Sequence, residues 1–597
     1  MGLFQKAYET YENHQYLAGV SIEGKEELLP VAHIFMNAGL ELTLNKKGAL
    51  TKAALIEKAD AKTIIPVTIE SGGRSGKNPP AHPLCDKLSY MLKNNGDKYQ
   101  DYHAKLTAWA ESDYTDIKLK IIKEYIEKGS IIDDLKACSL WKGDKNDKKL
   151  SDMVVRWRIE GLGETATAEC WKDGNLFSLW EGYYLSVLAG KEASQNKDIC
   201  MIIGEKLVIT DNHPKNIVSF NANAKLISAN DTSNFTYRGR FLDGTEACSI
   251  GYLSSQKAHN ALRWLVDKGY SLFGRSYLCW NPKGKHLPEV WSPLDFDKKE
   301  PIASPTDYKK QLKNTLAGYR NNLPDTEDVI IASVDAATNG RMAVTYYNEL
   351  RASDFLDRIE SWYLTCCWNS GKYGIKTPTI NEIVKAAYGI EREGRLEAND
   401  LIFKDNAQRL VKCLTEKAAI PYDIVRQLLQ RASMPQAYDK RKYDNYARLL
   451  VTACAVIRKY YNDKSKREEW SLELDRTKTD KDYLFGRLLA VMEKVERDTY
   501  EANEEREPNA IRMQAAFCER PFYYTHIIHQ RLEPYFTRHK PSSRIYFKNE
   551  IGEIMEKLAE FDDNELNKPL NEKYVMGYYL QRAEMYKSKK KEIKEEE

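Results

Sequence analysis

Ten consecutive residues carry the densest chemistry in the chain: Ser71-Gly72-Gly73-Arg74-Ser75-Gly76-Lys77-Asn78-Pro79-Pro80. Glycine lets a backbone approach a ligand closely and turn its N–H groups outward, and Arg74 and Lys77 add charge and donors suited to a phosphate or a base edge. Asn78 joins them as a side chain that reads duplex edges together with phosphates. The segment is therefore a candidate polyanion-binding loop, set against the alternative of a plain solvated turn, which uses the same residue types. A nucleotide-binding P-loop fits poorly. That template needs Gly, four residues, then Gly-Lys and a hydroxyl residue. Here Ser71 stands five positions before Gly76, and Asn78 occupies the magnesium-binding position.

Two further segments interleave arginine with aromatic or apolar residues. In Val154-Val155-Arg156-Trp157-Arg158-Ile159, strand alternation sends Val155, Trp157 and Ile159 to one face and Arg156 and Arg158 to the other. Tyr237-Arg238-Gly239-Arg240-Phe241 repeats the arrangement with Arg238 and Arg240. Two such strands suit a groove for a nucleic-acid backbone with stacking rings nearby, or simply two solvated faces with ion-pair partners. Lys142, Lys145, Lys148 and Lys149 beside Trp141, and Arg275, Lys283 and Lys285 around Tyr277 and Trp280, are weaker candidates for phosphate contacts.

No catalytic constellation emerges, and no cofactor or metal is expected. His526 and His529 are three apart, whereas the zincin pattern needs four with Glu after the first His. They read as packing or capping residues, and His213-Pro214-Lys215 reads as a structural turn. There is no G-x-S-x-G elbow and no dinucleotide fingerprint. The chain reads as a binder.

The elements that must position these residues divide the chain. Short β-rich runs alternate with isolated helices up to about residue 375, with candidate strands at 153–159, 199–210, 272–280 and 329–347 and a strand-like run at 63–69. From about 378 the apolar period becomes 3.6, as in Tyr446, Leu449, Leu450, Ala453 and Ile457, or Leu484, Leu488, Val491 and Val495. Helices are expected at 405–420, 422–432, 522–536, 548–561 and 573–585, and the charged stretch 462–481 reads as a linker among them. The fold class is α+β: a mixed α/β amino-terminal and middle region followed by a helical bundle, in segments 1–150, 151–375 and 376–597.

At 597 residues the chain exceeds one ordinary core, so several domains are expected. Its formal charge is only +3, from 90 basic and 87 acidic residues, so any nucleic-acid site must be a local patch. The 11 cysteines are odd in number and hold no C-x-x-C pair, which points to reduced thiols rather than a disulfide frame or zinc knuckle. An amino terminus without an apolar signal core, and the absence of a long apolar span, lead to the expectation of a cytoplasmic protein outside any membrane.

Several segments together resemble the large subunit of the type I-C CRISPR Cascade interference complex, over the length of the chain. They are Ser75-Gly76-Lys77-Asn78 with Leu84-Cys85-Asp86, His213-Pro214-Lys215 with Ser219-Phe220-Asn221-Ala222, Phe235 to Phe241, and Gln256-Lys257-Ala258-His259-Asn260-Ala261. Asp335 to Arg341 with Ala343 to Tyr347, Phe485-Gly486-Arg487-Leu488-Leu489-Ala490-Val491 and Gly577-Tyr578-Tyr579-Leu580-Gln581-Arg582 complete the set.

The resemblance implies a non-enzymatic subunit of an RNA-guided complex. Its amino-terminal domain would read a protospacer-adjacent motif on double-stranded DNA, begin R-loop formation and hold the displaced non-target strand, while CRISPR RNA pairing supplies most of the specificity. Arg74, Lys77 and Asn78 would contact the motif, with Gly72, Gly73, Ser75 and Gly76 forming the approach. Arg156, Arg158, Arg238, Arg240 and Arg341 would be candidates for the strand path. Other Cascade subunits and a helicase-nuclease would be its partners. The helical third would be a small-subunit-like module, also made from an internal start at Met434, Met492 or a non-Met codon. A P-loop ATPase or nuclease, and a pure scaffold that ignores DNA, remain the competing readings.

Overall fold

The computed structural model describes residues 2–596 apart from 22–26, 75–78, 192–196, 229–240, 242–243, 297–299, 339, 440–443, 465–468 and 502–503. The chain is α+β and divides into two compact units, one of residues 1–285 with 328–349, the other of 286–327 with 350–597. This division differs from the three segments expected at 150 and 375. The reason lies in strand pairing, which ties segments distant in sequence into single sheets.

Unit 1 is organised by β1 (His33–Asn45), whose first half pairs antiparallel with β3 (Lys62–Pro66) and whose second half pairs antiparallel with β2 (Leu50–Leu55). Asn45 shapes the β1–β2 turn, its Oδ1 accepting from Lys47 N–H at 2.9 Å, while Gly48 takes the positive φ of 66° that the turn requires. β4 (Val154–Glu160) runs parallel to β1, with Glu41 opposite Arg156 and Thr43 opposite Arg158. A boundary at 150 would thus cut β4 from its own sheet.

Leu40, Leu42 and Leu44 of β1 and Val155, Trp157 and Ile159 of β4 are buried in the unit 1 core with Trp109 and Trp180. The alternation expected for 153–159 is therefore present. The run expected as one strand at 199–210 is instead a hairpin of β5 (Lys197–Ile199) and β6 (Lys206–Val208), broken where Gly204 adopts φ 76°. A second sheet has the order β10-β9-β8-β7, from β7 (Tyr270–Leu272), β8 (Arg275–Trp280), β9 (Asp328–Thr338) and β10 (Arg341–Arg351). Helix α1 (Leu3–His14) packs against a later helix of unit 1.

Unit 2 is mainly helical, although a small hairpin of Ile390–Arg392 with Arg395–Glu397 persists beyond the point where strand signals fade. The helix expected at 405–420 lies at Asp400–Thr415, where Asn399 caps it by accepting from Leu401 N–H at 3.0 Å. The helix at Tyr422–Ala432 matches its expected bounds. Of the stretch expected as a linker, 462–464 end one helix and Lys481 opens the next, and only 469–480 are non-helical among the described residues; there Trp470 is fully buried and its carbonyl accepts from Arg458 Nε at 2.6 Å. One apolar ring thus converts a charged connection into part of the core.

Candidate nucleic-acid interface

The glycine-rich loop is fixed on both flanks. Just before it, Thr68 and Ser71 cap α2 (Ile69–Gly72) reciprocally: Ser71 N–H donates to Thr68 Oγ1 at 3.2 Å and Thr68 N–H to Ser71 Oγ at 2.9 Å. Gly73 follows, where a Cβ would lie 2.6 Å from Asn212 Oδ1 and displace that side chain. That asparagine is held in turn, donating from Nδ2 to Ile69 O at 2.7 Å and accepting from Lys225 Nζ at 3.2 Å.

Arg74 donates from Nη1 and Nη2 to the two oxygens of Asp86, both at 2.6 Å, and from Nη1 to Pro80 O at 2.7 Å. Asp86 is wholly buried and also accepts from the N–H groups of His82 and Lys87. Beyond the loop, Tyr90 donates to Pro79 O at 2.7 Å, with the Arg74 guanidinium over its ring. Arg74 was expected to reach DNA. With its guanidinium spent on a buried carboxylate and a carbonyl, it anchors the loop instead. Ser75, Gly76, Lys77 and Asn78 lie outside the described residues, as do Arg238 and Arg240.

Gly72, Gly73 and Arg74 line one wall of a cavity of about 260 Å³ in unit 1. His33 of β1 contributes a second wall, and His213 with Lys215 a third. Gln256, His259, Asn260 and Arg263 come from one face of helix α3 (Tyr252–Lys268), at the i, i+3, i+4, i+7 spacing that places residues together. Asn260 secures that face by donating to the carbonyls of Leu29 and Pro30, each at 3.2 Å. Three separated motifs, at 71–74, 213–215 and 256–261, thus meet at one place. His213, taken for a turn residue, is buried here with its ring stacked 6.0 Å from that of His259.

The cavity's histidines are uncharged near neutral pH. Burial pulls His33 and His259 down to about 4 and, with the neighbouring His259 and then Lys225 adding to it, His213 to about 3. His82, also lining the cavity, falls to about 3 through burial, with Asp86 opposing and Arg74 and Lys105 reinforcing the shift.

The arginines of β4 are neutralised rather than presented. Arg156 donates from Nε and Nη2 to Glu41 Oε2 at 2.9 and 2.7 Å and from Nη1 to Asp60 O at 2.7 Å, with its guanidinium 3.9 Å from the Trp171 ring centre. Arg158 donates to Glu41 Oε1 at 3.0 Å and to Glu169 Oε1 at 3.2 Å. Burial acts to raise the Glu41 carboxyl, but hydrogen bonds and charge from both arginines more than offset it and hold it below the usual range. The alternation that put both arginines on one face is correct, but Glu41 on the neighbouring strand meets them there. Arg275 is likewise joined to Asp335, at 3.0 Å.

Arg341 is exposed at the start of β10, beside Lys225, whose carbonyl accepts from Met342 N–H at 2.9 Å. Since Lys225 also holds Asn212, Arg341 comes within one strand bridge of the cavity's supporting residues. His33, Asn212 and Arg263 carried no motif, and only the tertiary structure brings them in. Among the described residues no group of three or more His, Cys, Asp or Glu side chains could hold a metal, and no helix is long and apolar enough to cross a membrane.

No curated protein matches the chain. A family model described as CRISPR-associated protein (Cas_Csd1) matches residues 8–586, nearly the whole length. The chain therefore belongs to the Csd1 family of CRISPR-associated proteins.

Proposed function

We propose that this CRISPR-associated Cascade large subunit is the DNA-reading member of a type I-C complex. In this reading unit 1 recognises a protospacer-adjacent motif on duplex DNA, R-loop formation starts there, and the displaced strand is held while a helicase-nuclease is recruited. The observation that carries it is the pair of fixed flanks on either side of the sequence 75–78, Arg74 on Asp86 and Pro79 on Tyr90. A short cationic segment with immobilised ends meets base edges at lower entropic cost than a free one.

Lys77 and Asn78 then contact the motif, Gly72, Gly73, Ser75 and Gly76 let the backbone approach, and Arg74 positions them. Arg238, Arg240 and Arg341 remain with the strand path. Arg156 and Arg158 contribute to it only as a partly screened face. The helical unit acts as the small-subunit-like module. An internal start at Met434 retains helices α4 (Lys481–Arg497) and α6 (Lys573–Glu596) intact, whereas a start at Met492 falls inside α4 and discards its first two-thirds.

The test is the affinity of the reconstituted complex for guide-matched duplexes that differ only beside the target, at two salt concentrations. Lys77→Ala and Asn78→Ala are expected to erase discrimination between motif-bearing and motif-lacking targets. Unchanged discrimination would favour a scaffold. Turnover of ATP or DNA by the purified chain with magnesium, abolished by Lys77→Ala, would favour an enzyme.

A further inference from the structure

The cavity beside the loop carries an unusual set of polar atoms. Among the described residues, His33 Nε2, His82 Nδ1, His213 Nε2, His259 Nε2 and the Tyr252 hydroxyl are all buried without a hydrogen-bond partner, and all five residues line this one cavity. Buried polar groups are ordinarily satisfied, so five orphans around one space require a cause.

For His33, His213 and His259 the hydrogen bonds on the other ring nitrogen fix what Nε2 offers. His33 Nδ1 lies 2.8 Å from Val31 O and His259 Nδ1 2.7 Å from Ser255 O. A carbonyl only accepts, so both Nδ1 atoms carry the proton and both Nε2 atoms are bare acceptors. The Ser255 hydroxyl lies 3.2 Å from the protonated His259 Nδ1 and 2.9 Å from His213 Nδ1, so its own proton goes to His213 Nδ1 as acceptor. His213 Nε2 is consequently a donor. The cavity thus sets a neutral donor beside neutral acceptors on near-parallel imidazoles, with the Tyr252 hydroxyl and the Gln256 amide close by.

Arg74, Lys215 and Arg263 also stand on the walls, but Arg74 is bound to Asp86 and the Arg263 guanidinium lies 4.5 Å from the Phe35 ring centre, and the uncharged donor and acceptor edges of the histidines suit a planar heteroaromatic ring better than a phosphate. The volume of about 260 Å³ admits one such ring. We propose that this cavity receives a single unpaired nucleobase of the target DNA, drawn from the base pairs next to the glycine-rich loop. The inference rests on the DNA-reading role proposed above. Holding one base out of the stack would keep the duplex from reclosing while the guide begins to pair.

The test uses the reconstituted complex and guide-matched duplexes with 5-iodouracil walked through each position of the motif and the adjoining target, on both strands. Photocrosslinked peptides are then identified by mass spectrometry. The expected result is one position that crosslinks to the peptide holding His213 or to that holding Tyr252 and His259. His213→Phe should cut that crosslink several-fold while motif discrimination persists. Intact discrimination without such a crosslink at any position means a cavity filled only by water and overturns the inference alone. Loss of discrimination in the Lys77→Ala complex with the crosslink retained supports it. Absence of both discrimination and crosslinks in the unaltered complex removes the DNA-reading role and this inference with it.

Discussion

Arg74 and Asp86 grip each other through two hydrogen bonds of 2.6 Å, with the carboxylate wholly buried and the arginine side chain 12 % exposed. The pair fixes the entry to the glycine-rich loop, and Asp86 further ties the backbone at His82 and Lys87. Removing one partner of such a buried pair strands the other. Asp86→Ala is therefore expected to cost about 3–5 kcal/mol of unit 1 stability, measured by urea unfolding. Arg74→Lys should recover little, because a lysine cannot make the two-pronged contact.

The same pair separates anchoring from contact. A residue that neutralises a phosphate lowers the slope of log affinity against log salt by about 0.9 when removed. Lys77→Ala is expected to do so, whereas Arg74→Ala should weaken motif discrimination and leave the slope where it was. Titrations of the assembled complex at four or five salt concentrations measure both. A reduced slope for Arg74→Ala would mean that its guanidinium leaves Asp86 for the DNA.

Two glycines far apart in sequence occupy one crossing. A Cβ on Gly486 of α4 would sit 2.0 Å from Tyr574 O, and one on Gly577 of α6 would sit 2.2 Å from Tyr483 O. The obstacle in each case is a backbone carbonyl, which cannot swing aside. Around this contact Arg487 Nε donates to Gln581 Oε1 at 2.9 Å, and Gln581 Nε2 donates to Glu550 Oε2 at 2.9 Å. Gly486→Ala and Gly577→Ala should each destabilise unit 2 by at least about 3 kcal/mol, at the upper end of overpacking costs. Gly552, within helix α5 (Pro541–Leu558), has nothing within 4 Å of its would-be Cβ. Gly552→Ala should instead stabilise by up to about 1 kcal/mol through helix propensity. Thermal melts of the three variants check the contrast.

That crossing also shows what the sequence allowed to be read. The segments 485–491 and 577–582 stood out separately, yet nothing in either revealed that they touch. The alternation of Arg156 with Trp157 and Ile159 was legible because a single strand encodes it. Glu41, which neutralises the arginines, lies 115 residues earlier and was not. The longest strand of unit 1 went unread for a related reason: β1 buries His33 and Phe35, then Ala38, Leu40, Leu42 and Leu44, so the period of two changes phase between Phe35 and Ala38. Trp470 defeated the composition argument in the opposite sense. One ring anchors a segment whose charges read as a linker.

Arg156 and Arg158 share Glu41 but differ in burial, 7 % exposed for Arg156 as a residue and 28 % for the Arg158 side chain. Arg156 also holds Asp60 O and lies over Trp171. Arg156→Ala is expected to destabilise by about 3 kcal/mol or more, since Glu41 loses its closer partner in a buried setting. Arg158→Ala should cost about 1 kcal/mol or less, as for exposed pairs. If both arginines instead served the displaced strand, the two variants would weaken DNA binding equally while leaving urea midpoints unchanged.

The buried histidines make stability depend on acidity in a defined window. In the folded chain His33 and His259 protonate only near pH 4, and His82 and His213 near pH 3, against about 6.5 in an unfolded chain. As pH falls below about 6.5 the unfolded chain takes up protons that the fold refuses, so stability declines until the folded values are reached and does not change above 6.5 on their account. Each histidine contributes at most about 1.4 kcal/mol per pH unit within that window. The charges that bear on them are Asp86, Arg74 and Lys105 at His82, His259 and Lys225 at His213, and Lys225 at His259. Glu41 acts separately: its depressed carboxyl supports the fold above its unfolded value of about 4.3, and that support is lost only as pH falls further. His33→Asn keeps a donor for Val31 O and cannot titrate. The variant should therefore show a shallower fall in Tm between pH 6.5 and 4.5 than the unaltered chain, and parallel curves would mean that His33 already binds its proton in the fold.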